Sequence, residues 1–374
     1  MIDVKQFYDY LVFRQLSFFT GVPDSLLKDF CACVTQHSHS QNHITAANEG
    51  NAVAIAAGRY LSSGKRAVVY MQNSGLGNAV NPLLSLADED VYQIPMLLMI
   101  GWRGQPGVKD EPQHVKQGKV TLPLLEAMGI PYWILDDDYH AQIDACCAVM
   151  EKESRPVALL VREGAFAEYS AVKPPNLYTM TREEALEAVL NILDERDFVV
   201  STTGKTSREI FELREKSNRG HANDFLTVGS MGHTASIALG MSLGADRDIY
   251  CIDGDGSFLM HMGGFCIAAH AAQKNFKYIL INNGAHESVG GQPTVGFDID
   301  IGGILKAAGF KNVYAAYQVD DIQKYMAALK GETLSALIVY AKQGARGDLG
   351  RPTTTPLENK RMLMGKIADL KSEQ

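Results

Sequence analysis

Short runs of almost unbroken apolar residues recur along the whole chain. In the first half they are "RAVVYMQ" (66–72), "PMLLMIG" (95–101), "YWILDD" (132–137) and "PVALLVR" (156–162). In the second half they are "FVVSTTG" (198–204), "FLTVGS" (225–230), "IYCIDGDG" (249–256), "YILINN" (278–283) and "LSALIVYA" (334–341). A strand with one wet face alternates apolar and polar residues. These runs do not, so they fit parallel strands covered on both faces by helices. Helical patterns fall between them. The predicted fold is therefore α/β, with two doubly wound parallel-sheet domains, and a length of 374 residues suffices for both. Between the halves, "AFAEYSAVKPPNLYTMT" carries Pro174 and Pro175 and little periodicity, so it reads as a linker. The expected boundaries are 1–165 for the first domain, 166–179 for the linker and 180–374 for the second domain.

Charge narrows the partners. The net charge of −8 argues against nucleic acid or an acidic membrane as the main one. An anionic ligand must then be met by local cations, helix N-termini or a metal. The cysteines (Cys31, Cys33, Cys146, Cys147, Cys251 and Cys266) form no C-x-x-C and sit in apolar or helical contexts. They are expected to be reduced, buried thiols of a cytoplasmic protein. The start, "MIDVKQFYDYLVFRQLSFFT", is not of signal-peptide type, since Lys5 and Arg14 interrupt it. No apolar run reaches the length of a membrane span.

In "CIDGDGSFLMHMGG" (251–264) an apolar run stops at an acid between two glycines. Ligands of such sheets bind beyond the carboxyl ends of the strands. Asp255 sits at such an end, Gly254 and Gly256 admit a close ligand, and Ser257 opens the next helix, where free N–H groups favour a phosphate. Taken alone, this stretch reads rather as a tight turn with a capping aspartate. One strand–helix–strand unit later, "ILINNGAHES" brings Asn282 and Asn283 to the same edge. One Asp and one Asn are too few for an all-protein site of a hard cation, but they suit a Mg²⁺ that arrives with a diphosphate. "STTGKTS" (201–207) is no P-loop, because Val199 stands where a glycine is required. It reads as a strand-to-helix turn. "TAANEGNAVAIAAG" (45–58) looks like a helix start facing a close neighbour, and by itself Glu49 would simply complement the helix dipole.

The G-D-G-S followed by N-N resembles the signature of the thiamine diphosphate (ThDP) enzymes. That resemblance implies that Asp255, the side chain of Asn283 and the main-chain carbonyl of Ala285 hold Mg²⁺. It places Met231, in "TVGSMGH" (227–233), as the bulky residue that props the bent cofactor, with the carbonyl of Gly229 toward the aminopyrimidine. Gly204 and Thr206 would meet the diphosphate, beside Gly256 and Ser257. Glu49 would hydrogen-bond the pyrimidine ring nitrogen, letting the ring amino group act as base at thiazolium C2. Many decarboxylases of this group have a central third domain, whereas this chain joins its halves directly. "FTGVPDSLL", "MQNSGLGNAVNPLLSL", "GWRGQPGVKDEPQH", "NNGAHESVGGQPT" and "GARGDLGRPTTTP" are similar to the phosphonopyruvate decarboxylases, with the sulfopyruvate decarboxylases as near relatives. The implied reaction converts a small anionic 2-oxo acid, 3-phosphonopyruvate, to phosphonoacetaldehyde and CO₂, in phosphonate biosynthesis. Asp24 and His114 are candidates for proton transfer, although Asp24 after Pro23 also reads as a helix N-cap. The paired histidines of pyruvate-type decarboxylases are absent, and His286 and Glu287 follow N-N at a different spacing. Sites shared between subunits of a homo-oligomer are implied as well. A carboligase of the acetolactate synthase type is disfavoured for want of a central domain. A non-catalytic nucleotide- or ThDP-binding regulatory protein would have no need of Glu49.

An acidic chain must still hold a doubly anionic substrate. The candidates are Arg103 in "GWRG", Lys109 in "GVKDEPQH", and Arg346 and Arg351 in "QGARGDLGRP". Arg103 follows a strand end, and its planar fork suits a phosphonate. All four would otherwise be solvated surface charges.

Overall fold

The computed structural model describes residues 1–171, 175–331 and 333–372. Two compact units emerge, Met1–Pro174 with Ser288–Gln292, and Pro175–Glu287 with Pro293–Gln374. Each is built on a six-stranded sheet, and every strand pair in both sheets is parallel. The expected fold class is borne out, and no third domain lies between them among the described residues.

The first sheet comprises β1 (Phe18–Gly21), β2 (His43–Thr45), β3 (Ala67–Gln72), β4 (Met96–Gly101), β5 (Tyr132–Ile134) and β6 (Val157–Val161), in the spatial order β2-β1-β3-β4-β6-β5. Alternate residues of one strand feed opposite faces. Val68 and Tyr70 of β3 join Leu97 and Met99 of β4 in one core, while Val69 and Met71 join Leu98 and Ile100 in the other. Both faces are dry, which is why these strands read as continuous apolar runs. The second sheet comprises β7 (Phe198–Ser201), β8 (Asp224–Leu226), β9 (Ile249–Gly254), β10 (Phe276–Asn282), β11 (Asn312–Ala316) and β12 (Ser335–Tyr340). Its order is β11-β12-β10-β9-β7-β8. Again Tyr250 and Ile252 face one core, Ile249 and Cys251 the other.

Three strands, β1, β2 and β11, have no counterpart among the expected runs. β1 is only four residues long, though all four are buried, and β2 and β11 are partly exposed edge strands. At the other edge of the second sheet, Asn359 from the C-terminal helix completes β8. It accepts from the Leu226 N–H at 3.1 Å and donates to the Asp224 carbonyl at 2.7 Å.

Two expectations need correction. Segment 166–179 is not a bare linker throughout. Phe166 pairs with Ile2 in a parallel bridge and packs against Phe7 and Phe30, and the Tyr169 N–H bonds Asp29 at 3.0 Å. Residues 172–174 of that segment lie outside the described residues. Among the cysteines, Cys266 is exposed while the other five are buried, and all six are free thiols. No helix among the described residues is long and apolar enough to cross a membrane.

Candidate active site

In the second unit the order of the strands reverses between β7 and β9, so their carboxyl ends form the switch point of the sheet, the place where such sheets bind ligands. The turn after β7 depends on Gly204, whose φ of 90° is left to glycine, and Gly204 caps the helix Lys205–Lys216. The turn is held from below. Ser207 Oγ meets Ser201 Oγ at 2.8 Å and donates to the carbonyls of Thr202 (2.7 Å) or Thr227 (3.0 Å), and the Thr227 hydroxyl donates to the Ser201 carbonyl. Thr206 is buried beside it.

Two acids end β9. Asp253 is enclosed and collects the Gly254 N–H at 3.0 Å, the Tyr278 hydroxyl at 3.3 Å and the hydroxyls of Ser257, Thr234 and Thr202. Asp255, two residues further on, is also buried. Burial pushes its carboxyl up to about 6, against the Thr294 hydroxyl and the N–H groups of Asn283 and Gly256 that face it. The backbone of Gly296 passes close by, and a Cβ there would sit 2.8 Å from Asp255 Oδ2 and 2.6 Å from Asn282 Oδ1. Ser257 Oγ accepts the Gly232 N–H at 3.0 Å, so its hydroxyl supports the Gly229–Gly232 turn. Met231 lies against Gly256, as does His286. A Cβ on Gly256 would come within 3.2 Å of Met231 Cε and 2.9 Å of the His286 ring. Burial lowers the His286 imidazole to about 4, which keeps it neutral.

Beyond β10, Asn282 bonds the Gly296 carbonyl at 2.6 Å and receives the Gly284 N–H at 3.2 Å. Asn283 receives the Ala285 N–H on Oδ1 at 3.2 Å and donates from Nδ2 to Glu287 at 2.7 Å. Asp255 and Asn283, with the Ala285 carbonyl, are hard oxygen donors at neighbouring strand ends. Among the described residues no three His, Cys, Asp or Glu side chains gather where they could hold a metal. One carboxylate and one amide fit a hard divalent cation whose remaining ligands come with a bound diphosphate.

The first unit has a different edge at its own switch point, between β1 and β3. Asp24 is fully buried; it accepts the Leu26 N–H at 2.9 Å, capping the turn Ser25–Leu27, and Gln72 Nε2 at 2.6 Å. It is thus both the cap that the sequence suggests and a sequestered acid. Burial raises its carboxyl, and Gln72, the Leu26 N–H and Arg103 only partly offset this. A side chain at Gly101 would collide with it. Glu49 begins the helix Glu49–Ser63, behind the N-cap Asn48. Burial raises its carboxyl too, although Asn78 donates to it at 2.8 Å. Gly75 leaves room for it, since a Cβ there would overlap the carboxylate.

Arg103 follows β4 as expected, but its fork is already engaged. It binds Asp110 through Nε (2.8 Å) and Nη2 (2.5 Å), and Ser25 through Nη1 (2.6 Å). Asp110 also receives the N–H groups of Gly104 and Glu111, at 2.7 Å each, and faces His114 Nδ1 at 2.9 Å. Burial opposes its charge, but Arg103, His114 and the two amides outweigh that and hold it well below the usual carboxylate range. His114 is therefore one arm of an Asp110-centred cluster that the sequence reading missed. The signal was there, an acid four residues before the histidine. Lys109 is solvent-exposed. In the second unit, Arg346 does not stand open toward a ligand. It pins its loop to Glu183, Glu212 and Asp348, while the Gly350 N–H bonds Glu212 at 2.7 Å. Arg351 is exposed beside that pin.

The chain matches two family models, the N-terminal TPP binding domain of thiamine pyrophosphate enzymes over residues 4–122 and their C-terminal TPP binding domain over residues 202–339. It is 34% identical over 366 residues to a phosphonopyruvate decarboxylase of Streptomyces viridochromogenes, covering 90% of this chain and 88% of that protein. A phosphonopyruvate decarboxylase of Streptomyces hygroscopicus is 34% identical over 90% of this chain and 87% of its own length. A sulfopyruvate decarboxylase of Methanosarcina acetivorans is 29% identical over 72% of this chain and 73% of its own length. With thiamine diphosphate-binding domains in both halves and a whole-length likeness of this kind, the chain belongs to the phosphonopyruvate decarboxylase family of thiamine diphosphate enzymes.

Proposed function

We propose that this protein is a carboxy-lyase that converts 3-phosphonopyruvate to phosphonoacetaldehyde and CO₂ with ThDP and Mg²⁺. The observation that carries the reading is the pairing of one buried glutamate, Glu49, in the first unit with the oxygen-donor pair Asp255 and Asn283 in the second. A silent binding protein needs the second set but not the first. When bound, ThDP supplies a carbon nucleophile for the ketone and a sink for the electrons released with CO₂.

The residues have separable tasks. Asp255, the Asn283 carboxamide and the Ala285 carbonyl hold Mg²⁺. The turns at Gly204–Thr206 and Gly256–Ser257 take the diphosphate on backbone N–H groups at helix starts. Met231 and the Gly229 carbonyl shape the place of the pyrimidine. Glu49, destabilised as a carboxylate by burial, holds a proton at the pyrimidine ring nitrogen. Asp24, whose carboxyl burial raises, and His114 are the proton carriers nearest the β1 and β4 ends. Arg103, with its fork fixed by Asp110, and Arg351 supply positive charge for the substrate, and Lys109 and Arg346 add to it. The tasks divide between a pyrimidine-binding domain at 1–165 and a diphosphate-binding domain at 180–374, in a cytoplasmic homo-oligomer whose sites draw on more than one subunit.

A CO₂-release assay with phosphonopyruvate, sulfopyruvate and pyruvate, each with and without ThDP and Mg²⁺, tests this. Phosphonopyruvate is expected to turn over fastest, and only with both additions. Faster sulfopyruvate turnover would reassign the substrate, and no cofactor-dependent CO₂ from any of the three would reject the enzyme reading.

A further inference from the structure

Glu287 has no task in the scheme above, yet it is among the most heavily bonded side chains of the second unit. Its side chain is 9% exposed. Oε2 accepts from Arg182 Nη1 at 2.5 Å and from Asn283 Nδ2 at 2.7 Å. Oε1 accepts the Gly344 N–H at 3.1 Å and faces Lys205 Nζ at 3.5 Å. Arg182 in turn grips Glu209 with Nε and Nη2, at 2.6 and 2.7 Å. Burying so many charges seldom adds stability over an apolar core, so stability alone does not account for the cluster.

Its geometry does. Oε2 of Glu287 already accepts from the Arg182 guanidinium and Oε1 from the Gly344 N–H, with Lys205 Nζ beside it, so both oxygens act as acceptors. Asn283 can meet it only with its NH₂ group. The carboxamide is thereby locked with Oδ1 on the far side, where it receives the Ala285 N–H at 3.2 Å. A flipped amide would set its oxygen against a carboxylate oxygen. We propose that Glu287 is the positioning residue that fixes the Asn283 oxygen toward the divalent cation, with Arg182 as its anchor. This rests on the reading of Asn283 as a cation ligand.

The test uses Mn²⁺ as the probe, titrated into the full-length protein with ThDP present, and free Mn²⁺ read by electron paramagnetic resonance. Wild type is expected to bind saturably. Glu287→Gln lets the Asn283 amide flip, so the Mn²⁺ Kd should rise at least about tenfold, the usual effect of losing such an outer partner. Glu209→Gln strips a carboxylate from the same buried Arg182 without touching Asn283, and its Kd should stay within about twofold of wild type. In the double variant Asn283→Asp with Glu287→Gln the donor and acceptor exchange places. The glutamine NH₂ then holds the aspartate and leaves an oxygen for the cation, so most of the affinity should return. An unchanged Kd for Glu287→Gln would overturn the proposal. So would an equal loss in Glu209→Gln, which would mean a folding effect, or no recovery in the double variant. Wild type without saturable Mn²⁺ binding would instead reject the cation reading of Asn283, and this proposal with it.

Discussion

Counted from its own first strand, each sheet runs 2-1-3-4-6-5, all parallel, with its switch point between the first and third strands. The edges at those switch points differ in kind. In the first unit the edge carries two buried carboxyls, Asp24 and Glu49, each raised by burial and each touched by one neutral amide side chain, Gln72 or Asn78. In the second it carries oxygen donors set among glycine turns and helix starts, with the Arg182, Glu209 and Glu287 side chains paired behind them. The strand order decides where a ligand can bind. The side chains at strand ends decide whether that place handles protons or binds phosphate and a cation. On the proposed reading, one topology serves proton handling at one edge and phosphate and cation binding at the other.

The sharpest way to break this division is to remove one charge from each edge. Glu49→Gln keeps an acceptor for Asn78 and relieves a buried charge, so the melting temperature should hold or rise. CO₂ release from phosphonopyruvate should nevertheless fall by about 10²–10⁴-fold in kcat, the range for losing a proton-transfer partner, with Mn²⁺ affinity kept. Asp255→Asn should do the reverse first, weakening Mn²⁺ and ThDP binding, with activity partly regained at high metal. Near-normal kcat in Glu49→Gln, or weakened metal binding there, would mean that the two edges do not divide the work in this way.

A smaller effect tests the cations. Losing a charge-assisted bond to the phosphonate costs roughly 1.5–3 kcal/mol, or about one to two decades in kcat/KM. Arg351→Ala and Arg103→Ala should therefore each lower phosphonopyruvate use at least about tenfold, with less loss on residual pyruvate turnover. The two need not behave alike, because removing Arg103 also strands Asp110 and His114. Equal losses on both substrates for Arg103→Ala, with a lowered melting temperature, would assign that arginine to the fold. The same result for Arg351→Ala would send the search for the phosphonate contact elsewhere.

How far the sequence could be read follows the same physics. Strands dry on both faces announce themselves as apolar runs, and the residues that end them were found because glycines flank them. β2 and β11 carry no such signal, being edge strands with mixed burial, and β1 is too short to show one. The placing of acids at strand ends and helix starts was legible, but their partners were not. Gln72 reaches Asp24 from 48 positions away, and Arg182 reaches Glu287 from 105. No local pattern records such pairings, because only the folded sheet brings them together. The partners of Arg103 and Arg346 escaped for the same reason. A lone arginine near a strand end looks available until the carboxylates around it, Asp110 in one case and Glu183 with Glu212 in the other, are placed.

The smallest expected effect asks whether a shifted acid marks a site at all. Asp197 precedes β7 at the opposite end of the second sheet from Asp255, and its carboxyl is likewise raised, to about 6. Burial is the main cause. The nearby charges of Asp248 and Asp194 add to it, and the Asp194 N–H, donating at 2.8 Å, and Lys330 oppose it. The folded protein therefore holds this proton more tightly than the unfolded chain, whose ordinary value is 3.8. Between about pH 4 and 6 the unfolded state releases the proton first, so the contribution of Asp197 to stability is full below that window and is lost as the pH rises through it. Asp197→Asn cannot ionise, yet it still accepts the Asp194 N–H. By urea unfolding its advantage over wild type should grow by about 1–2 kcal/mol from pH 4 to pH 7, a figure already reduced for partial screening by solvent. Its kcat should not change. A pH-independent difference would show that Asp197 titrates normally in the folded state. A fall in kcat would break the contrast drawn here, because an acid at the amino end of the strands would then matter to chemistry assigned to the carboxyl end.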